Sequence, residues 1–257
     1  MLRQFCSRIG KKLLYPLGYT IQPLIKEENI EYSENVEAGC INISIKKKRL
    51  EQGGPFEWPN MVSLNLAIIQ FIDQEKSIVT IGSGTGTFEW YAAEKYPNVK
   101  FISSEFDEEC VEWCKKNRSR ENITYTSLTM NELIFQYKRF DLAVCVDVIE
   151  HINDYPVFLN SFSGLANYAI ISTPNKARDF ESYSAKSPKY YQHVREWTAG
   201  EFYWILRVFY DKVSLYAMPD PYEPEVKRIG ILSKMTPLIA VCEGSRQLQR
   251  GCVTHEE

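Results

Sequence analysis

Two runs of this 257-residue sequence carry groups whose types and spacing could do chemistry. The first is Ser77-Ile78-Val79-Thr80-Ile81-Gly82-Ser83-Gly84-Thr85-Gly86-Thr87, an apolar, β-branched stretch that ends in three alternating glycines. Glycine lets the main chain turn tightly and lets a ligand approach without interference from a Cβ. A strand, a glycine turn and a helix in that order make a cradle for a nucleotide-like ligand. The next apolar run, Val99 to Ser103, leads to Glu105. An acid about 20 residues beyond such a loop, at the end of the second strand, typically takes ribose hydroxyls. The second run is Phe140 to Asp154, in which an apolar stretch over 140–146 delivers Asp147, Glu150 and His151 at its carboxyl end. In open parallel sheets, ligands sit outside that end of the strands. A third segment, His193-Val194-Arg195-Glu196-Trp197-Thr198, holds another of the chain's three histidines. An imidazole with an ordinary pKa of about 6.5 is suited to general-base work near neutral pH.

Alternating strands and helices must position these groups. Strands are expected near 77–82, 99–104, 123–127, 140–146 and 168–172, and helices near 87–96, 107–117, 130–136 and 155–164. That alternation implies a parallel sheet with helices on both faces. Apolar runs at Lys212–Ala217 and Leu238–Cys242 would add two more strands, and Glu201–Phe209 a further helix. Met61–Ile72 has helical apolar spacing and reads as the helix that enters this domain, placing the domain at 61–257 and an extension at 1–60. Within the extension, Leu2–Leu14 is basic and amphipathic. It reads as a helix that docks on the domain or a partner, or that touches an anionic membrane surface. Lys46-Lys47-Lys48-Arg49 reads as a solvated face, and Gln52-Gly53-Gly54-Pro55 as a turn. Pro219 to Pro224 reads as a loop on the substrate side.

The hydrophobic and charged fractions, 44% and 25%, are those of a soluble globular chain with a sizeable core. A formal net charge of −3 argues against a dedicated nucleic-acid binder, which needs clustered Lys and Arg against phosphates. The seven cysteines form no C-x-x-C pair, so no zinc site is expected and the thiols read as reduced and buried, in a cytosolic setting. No apolar run approaches the roughly 20 residues that span a bilayer, and no secretory leader is apparent.

The glycine spacing separates two ligand classes. Dinucleotide folds use G-x-G-x-x-G; this sequence has Gly86 and then Thr87, giving G-x-G-x-G. With its strand, its helix and Glu105, the segment resembles motif I of class I S-adenosylmethionine (SAM) methyltransferases. The run F-D-L-A-V-C-V-D-V-I-E-H at 140–151 resembles their motif IV. It is neither the D/N-P-P-Y/F signature of exocyclic-amine methylation nor the Pro-Cys pair of cytosine C5 methylation, so an oxygen acceptor is expected. The resemblance implies a doubly wound, seven-stranded, mostly parallel α/β sheet closed by an antiparallel hairpin. It implies SAM contacts from Gly82, Ser83, Gly84, Gly86, Glu105, Phe106, Thr129 and Asp147. Adenine recognition falls either to main-chain amides near Thr129 or to Asn131.

Two families share the arrangement around His193. One is a group of bacterial methyltransferases that tailor sugars and surface polysaccharides. The other comprises the small-RNA 3′-terminal 2′-O-methyltransferases, in which a D/E-x-x-E-H run and a later His before E-W-T hold a divalent metal, such as Mg or Mn, on the terminal ribose diol. Carried over, the ligands are Asp147, Glu150, His151 and His193, with Asp147 standing where that family usually has Glu. Three readings stay open: this metal site, a metal-free catalytic group in which His151 or His193 is the base beside Glu150, and a capping role for Glu150 and His151. Tyr183, Tyr190, Tyr191, Trp197 and Tyr203 fall where an acceptor pocket is expected, or simply pack helices. The expected reaction is methylation of a sugar hydroxyl on a glycan, glycolipid or small metabolite by a cytoplasmic enzyme, either free or in peripheral membrane contact through residues 2–14. RNA ribose 2′-O-methylation and a non-catalytic SAM-binding partner subunit are the alternatives.

Overall fold

The computed structural model describes residues 57–179, 183–184, 188 and 192–247. The expectations for 2–14, 46–49, 52–55, Tyr190 and Tyr191 lie outside the described residues. Helix α1 (Pro59–Ile69) leads to β1 (Ser77–Ile81), α2 (Thr87–Lys95), β2 (Lys100–Ser104), α3 (Glu108–Asn117), β3 (Ile123–Thr126), α4 (Met130–Tyr137) and β4 (Phe140–Val146). A single 3-10 turn at Ile149–His151 precedes α5 (Tyr155–Ser163) and β5 (Ala166–Thr173). A second 3-10 turn (Lys176–Arg178) comes before α6 (Ala199–Phe209), β6 (Tyr210–Ala217), β7 (Lys227–Arg228) and β8 (Leu238–Ser245).

The strands form one sheet in the order β3-β2-β1-β4-β5-β8-β6-β7. The five strands from β3 to β5 are parallel, and β8 enters antiparallel between β5 and β6. The sheet has eight strands rather than seven. The extra one, β7, is a two-residue edge pairing of Lys227 and Arg228 with Ala217 and Tyr216, both of its residues exposed. A polar dipeptide carries no apolar alternation by which a sequence could reveal it. The 219–224 loop, expected beside the substrate, lies along α1: Ser63 Oγ donates to the Tyr222 carbonyl, and Gln70 Nε2 to that of Pro224.

The sheet is covered on both faces, and the period of two in a strand divides its side chains between two cores. Val79, Ala143, Cys145, Ile171 and Ala240 face α4, α5 and α6, where Phe158, Phe162, Trp197 and Phe202 pack. Their neighbours Ile78, Leu142, Val144, Ile170 and Ile239 face α1 and α2, where Leu64, Ile68, Phe88 and Ala92 pack. Helix starts are set locally. Asp107 accepts from the Glu109 and Cys110 amides, and Thr129–Glu132 and Thr198–Glu201 form reciprocal capping boxes. Among the described residues no helix is long and apolar enough to cross a membrane.

Not every buried group is apolar. Glu89, in the first turn of α2, is fully buried near the Thr80 and Ser103 hydroxyls. Burial pushes its carboxyl up to about 7, against smaller lowering contributions that include its own backbone amide, those hydroxyls and Arg118. The folded-state value lies above the unfolded one, so the neutral acid's stability is fully present below about pH 4.5. It is lost as pH rises through about 7. Glu89→Gln should therefore match the wild type near pH 4.5 and exceed its stability at pH 8 by roughly 3 kcal/mol. Urea denaturation at the two pH values checks this.

Candidate active site

The glycine loop leaves β1 at Ile81 with Gly82, Gly84 and Gly86 all at positive φ, between +54° and +69°. At Gly82 the close approach is as demanding as the dihedral, because an added Cβ would lie 2.5 Å from Val148 Cγ2. The amides of Gly82 and Ser83 donate to the Ser104 carbonyl, which ties the loop to the end of β2. From that end Glu105 reaches back. Its Oε2 accepts from the Gly84 amide at 2.7 Å, and its Oε1 from the Asp107 amide at 3.1 Å. Burial raises the Glu105 pKa and the two amides moderate the rise. Each oxygen keeps a second lone pair for a ribose hydroxyl.

A cavity of about 320 Å³ opens along these strand ends. Gly82, Gly84, Glu105, Phe106, Thr129 and Asp147, all expected from the sequence, line it. Ser83 and Gly86 lie behind its wall: Ser83 accepts from the Gly86 amide, and Gly86 caps α2 against the Tyr125 ring. Asn131, the alternative adenine contact, is exposed and outside the wall, whereas Ser127 and Leu128 line it beside Thr129. Cys110, Met130 and Phe158 also line it; their apolar side chains read as ordinary core in the sequence. Volume, glycine turn and acid all suit SAM: the cavity is within the usual range for a small-ligand site, and the carboxylate stands where a ribose is held.

His151 belongs to the same wall and begins the second half of the site. Val148 to Ile152 form a tight turn after β4, and the Glu150 carbonyl accepts from the amides of Val194 (2.8 Å) and Arg195 (3.2 Å). This pairing brings the 193–198 segment against the turn. The His151 and His193 rings meet edge to face at 4.9 Å. Ligand atoms of Glu150, His151 and His193 all lie within 4.8 Å of one another.

The protonation pattern follows from the partners. His151 Nδ1 faces the Gln192 carbonyl at 2.9 Å, and a carbonyl only accepts, so Nδ1 carries the hydrogen and Nε2 the lone pair. Burial holds the His151 pKa below its ordinary value, and the neighbouring His193 lowers it further. His193 Nδ1 donates to Glu196 Oε1 at 2.8 Å. Arg178 grips the same carboxylate, NH1 to Oε2 at 2.8 Å and NH2 to Oε1 at 3.3 Å. Burial alone would raise Glu196, but the hydrogen bonds from His193 and Arg178 outweigh it and keep its pKa below normal. Glu150 is buried, and its pKa is raised well above normal by burial first and then by Asp147. Its Oε2 accepts from Thr173 Oγ1, while its buried Oε1 has no hydrogen-bond partner.

Asp147 is not part of this group, which corrects the four-ligand expectation. Its backbone sits at φ +50°, its Oδ1 accepts from Ser172 Oγ at 2.6 Å and its amide donates to the same hydroxyl at 3.0 Å. The short aspartate arm is thus committed to β5 and to the cavity wall. Of the two readings for Trp197, the structure shows helix packing: it is fully buried in the α5–α6 core, where Tyr155 and Phe202 surround its ring. Tyr203 packs against the same core. Asn175 ties the site's outer loops together, donating to the carbonyls of Ser233 and Met235.

Comparison with known proteins identifies the family and the fold. Residues 60–209 match the profile of a family described as a methyltransferase domain. The chain belongs to that family, within the class I SAM-dependent methyltransferases. A SAM-dependent methyltransferase from Thermotoga maritima, described as a possible histamine N-methyltransferase, aligns with a TM-score of 0.54. It is 17% identical over 78% of this chain and 94% of its own. The N-terminal domain of EvdMO1, solved with SAH and D-fucose, aligns at 0.51 with 13% identity, over 79% and 96%. The methyltransferase domain of bacterial CtHen1 aligns at 0.51 with 18% identity, over 72% and 97%. At such identities the likeness is one of fold. No curated protein matches the methyltransferase chain.

Gly82→Ala tests the cradle. Strain at positive φ and the clash with Val148 should together destabilise the protein by about 2 kcal/mol or more and abolish SAH binding in isothermal titration calorimetry.

Proposed function

We propose that this methyltransferase methylates a sugar hydroxyl on a glycan, glycolipid or small metabolite. One observation carries the reading. Beside the cofactor cavity, a buried carboxylate with an unpartnered oxygen lies against two imidazoles, and each imidazole has its Nδ1 hydrogen held by an oxygen acceptor. Both rings therefore present Nε2 as the basic nitrogen, the arrangement needed to take a hydroxyl proton. EvdMO1, which shares the fold, was solved with a sugar, D-fucose, alongside SAH.

When bound, SAM supplies an electrophilic methyl group. The chain's residues then orient the acceptor and accept its proton. Gly84 and Glu105 hold the cofactor's ribose end. His151 borders both the cofactor and the acceptor space. His193, steadied by Glu196 and Arg178, takes the hydroxyl proton at Nε2 as the oxygen–methyl bond forms and the carbon–sulfur bond breaks. The products are SAH and a methyl ether. Positioning supplies much of the rate, since alignment of nucleophile and methyl group replaces an entropic barrier.

The same three side chains suit a divalent cation. Two imidazole nitrogens and one carboxyl group are a common donor set, and Glu150 Oε1 is buried without a hydrogen-bond partner. Glu150, His151 and His193 would hold the ion, with Glu196 and the Gln192 carbonyl orienting the imidazoles from behind. A divalent cation there would lower the pKa of an acceptor hydroxyl and orient a vicinal diol. That cluster is the observation favouring a second reading, the terminal ribose of an RNA.

His193→Ala should lower turnover by about 10²–10⁴-fold while leaving SAH affinity unchanged, since His193 does not line the cofactor cavity. Glu196→Gln should approach the same loss, because the amide no longer supplies an ionised acceptor at Nδ1. Methyl-tritiated SAM incubated with fractionated cell extract, with and without EDTA, tests acceptor and cation together. Label in the glycan, lipid or small-molecule fraction is expected, and ribonuclease-sensitive label would overturn the sugar reading in favour of RNA. Loss of transfer with EDTA, restored by Mn²⁺, assigns the cluster to a cation; indifference to EDTA assigns it to base catalysis.

A further inference from the structure

The glycine loop is held from outside the family domain. Its three positive-φ glycines allow many backbone conformations, and the main-chain bonds to Ser104 and Glu105 reach only Gly82, Ser83 and Gly84. The side chains on either side of Gly86, Thr85 and Thr87, are both buried. Both donate to a single atom, Glu57 Oε1, at 2.5 Å and 2.8 Å. Glu57 precedes α1 and lies upstream of residue 60, where the family match begins. Its side chain is 13% exposed, and Arg118, at the C-terminal end of α3, contacts the same oxygen at 3.3 Å. Arg118 also donates to Thr87 Oγ1 at 3.0 Å.

The connections reach the cofactor wall by two routes. Through Thr85 and Thr87, Glu57 grips both flanks of Gly86, the last glycine before α2. Through Arg118 it touches α3, whose Cys110 lines the cavity and whose Cys114 Sγ approaches the Gly84 carbonyl at 3.6 Å. The Arg118 carbonyl in turn accepts from the hydroxyl of Tyr125, the residue packed against Gly86.

We propose that Glu57 is a positioning residue for SAM, a clamp that sets the glycine loop in its binding conformation before the cofactor arrives. A loop ordered in advance loses less conformational freedom on binding, so removing the clamp weakens affinity without removing any contact to the ligand. The proposal concerns the cofactor alone and stands whichever acceptor the enzyme uses.

The test is SAH affinity by isothermal titration calorimetry for the full-length wild type, Glu57→Ala and the double variant Thr85→Val/Thr87→Val, with the thermal midpoint of each ligand-free protein measured alongside. The double variant is nearly isosteric and keeps the Glu57–Arg118 ion pair, so it decides the matter should Glu57→Ala fail to fold. A rise in Kd of tenfold or more in the double variant, with faster hydrogen exchange at amides 82–87 in its ligand-free form, is expected. A Kd within twofold of the wild type, whatever the thermal midpoint does, would overturn the clamp and leave Glu57 a purely structural residue. Absence of SAH binding by the wild type would instead overturn the cofactor assignment on which the clamp depends.

Discussion

The histidine cluster of this methyltransferase depends on one carbonyl. Glu150 O accepts from two successive amides, Val194 and Arg195, and so fastens a segment some 40 residues downstream in sequence onto the turn that follows β4. That pairing and the His151–Gln192 hydrogen bond together bring His193 against His151. The turn itself is fixed from β5, through the Ser172 hydroxyl on Asp147 and the Thr173 hydroxyl on Glu150. Backbone pairing does the coarse assembly, and short side-chain bonds then set the rotation of each ring.

The cofactor end is built on the opposite principle. Its backbone is permissive at three glycines, and order is imposed by surrounding groups: the Ser104 carbonyl, the Glu105 carboxylate and the Val148 side chain. Val148 belongs to the same turn that carries Glu150 and His151. The space left for Gly82 is therefore shaped by the element that also carries Glu150 and His151. Close packing between the two is what makes a Cβ intolerable there.

Much of the fold was legible because parallel strands buried on both faces are written as continuous apolar runs. Ser77–Ile81, Lys100–Ser104 and Phe140–Val146 fall almost where those runs end. In the site, the places of Gly82, Gly84 and Glu105 on the cavity wall were readable because the strand–turn–helix alternation itself puts a glycine turn and the end of the next strand side by side. What remained hidden depends on residues far apart in sequence. Asp147 is diverted by Ser172, 25 positions away, and Glu196 is gripped by Arg178, 18 positions away. Trp197 has the residue type of a sugar platform, yet the apolar face of α6 draws it fully into the core. Composition does not distinguish those two fates; burial does.

His151 borders two spaces. It lines the cofactor cavity and also contributes to the cluster with Glu150 and His193. A ligand in either space meets the same imidazole, and any factor by which one ligand changes the affinity of the other is returned in kind.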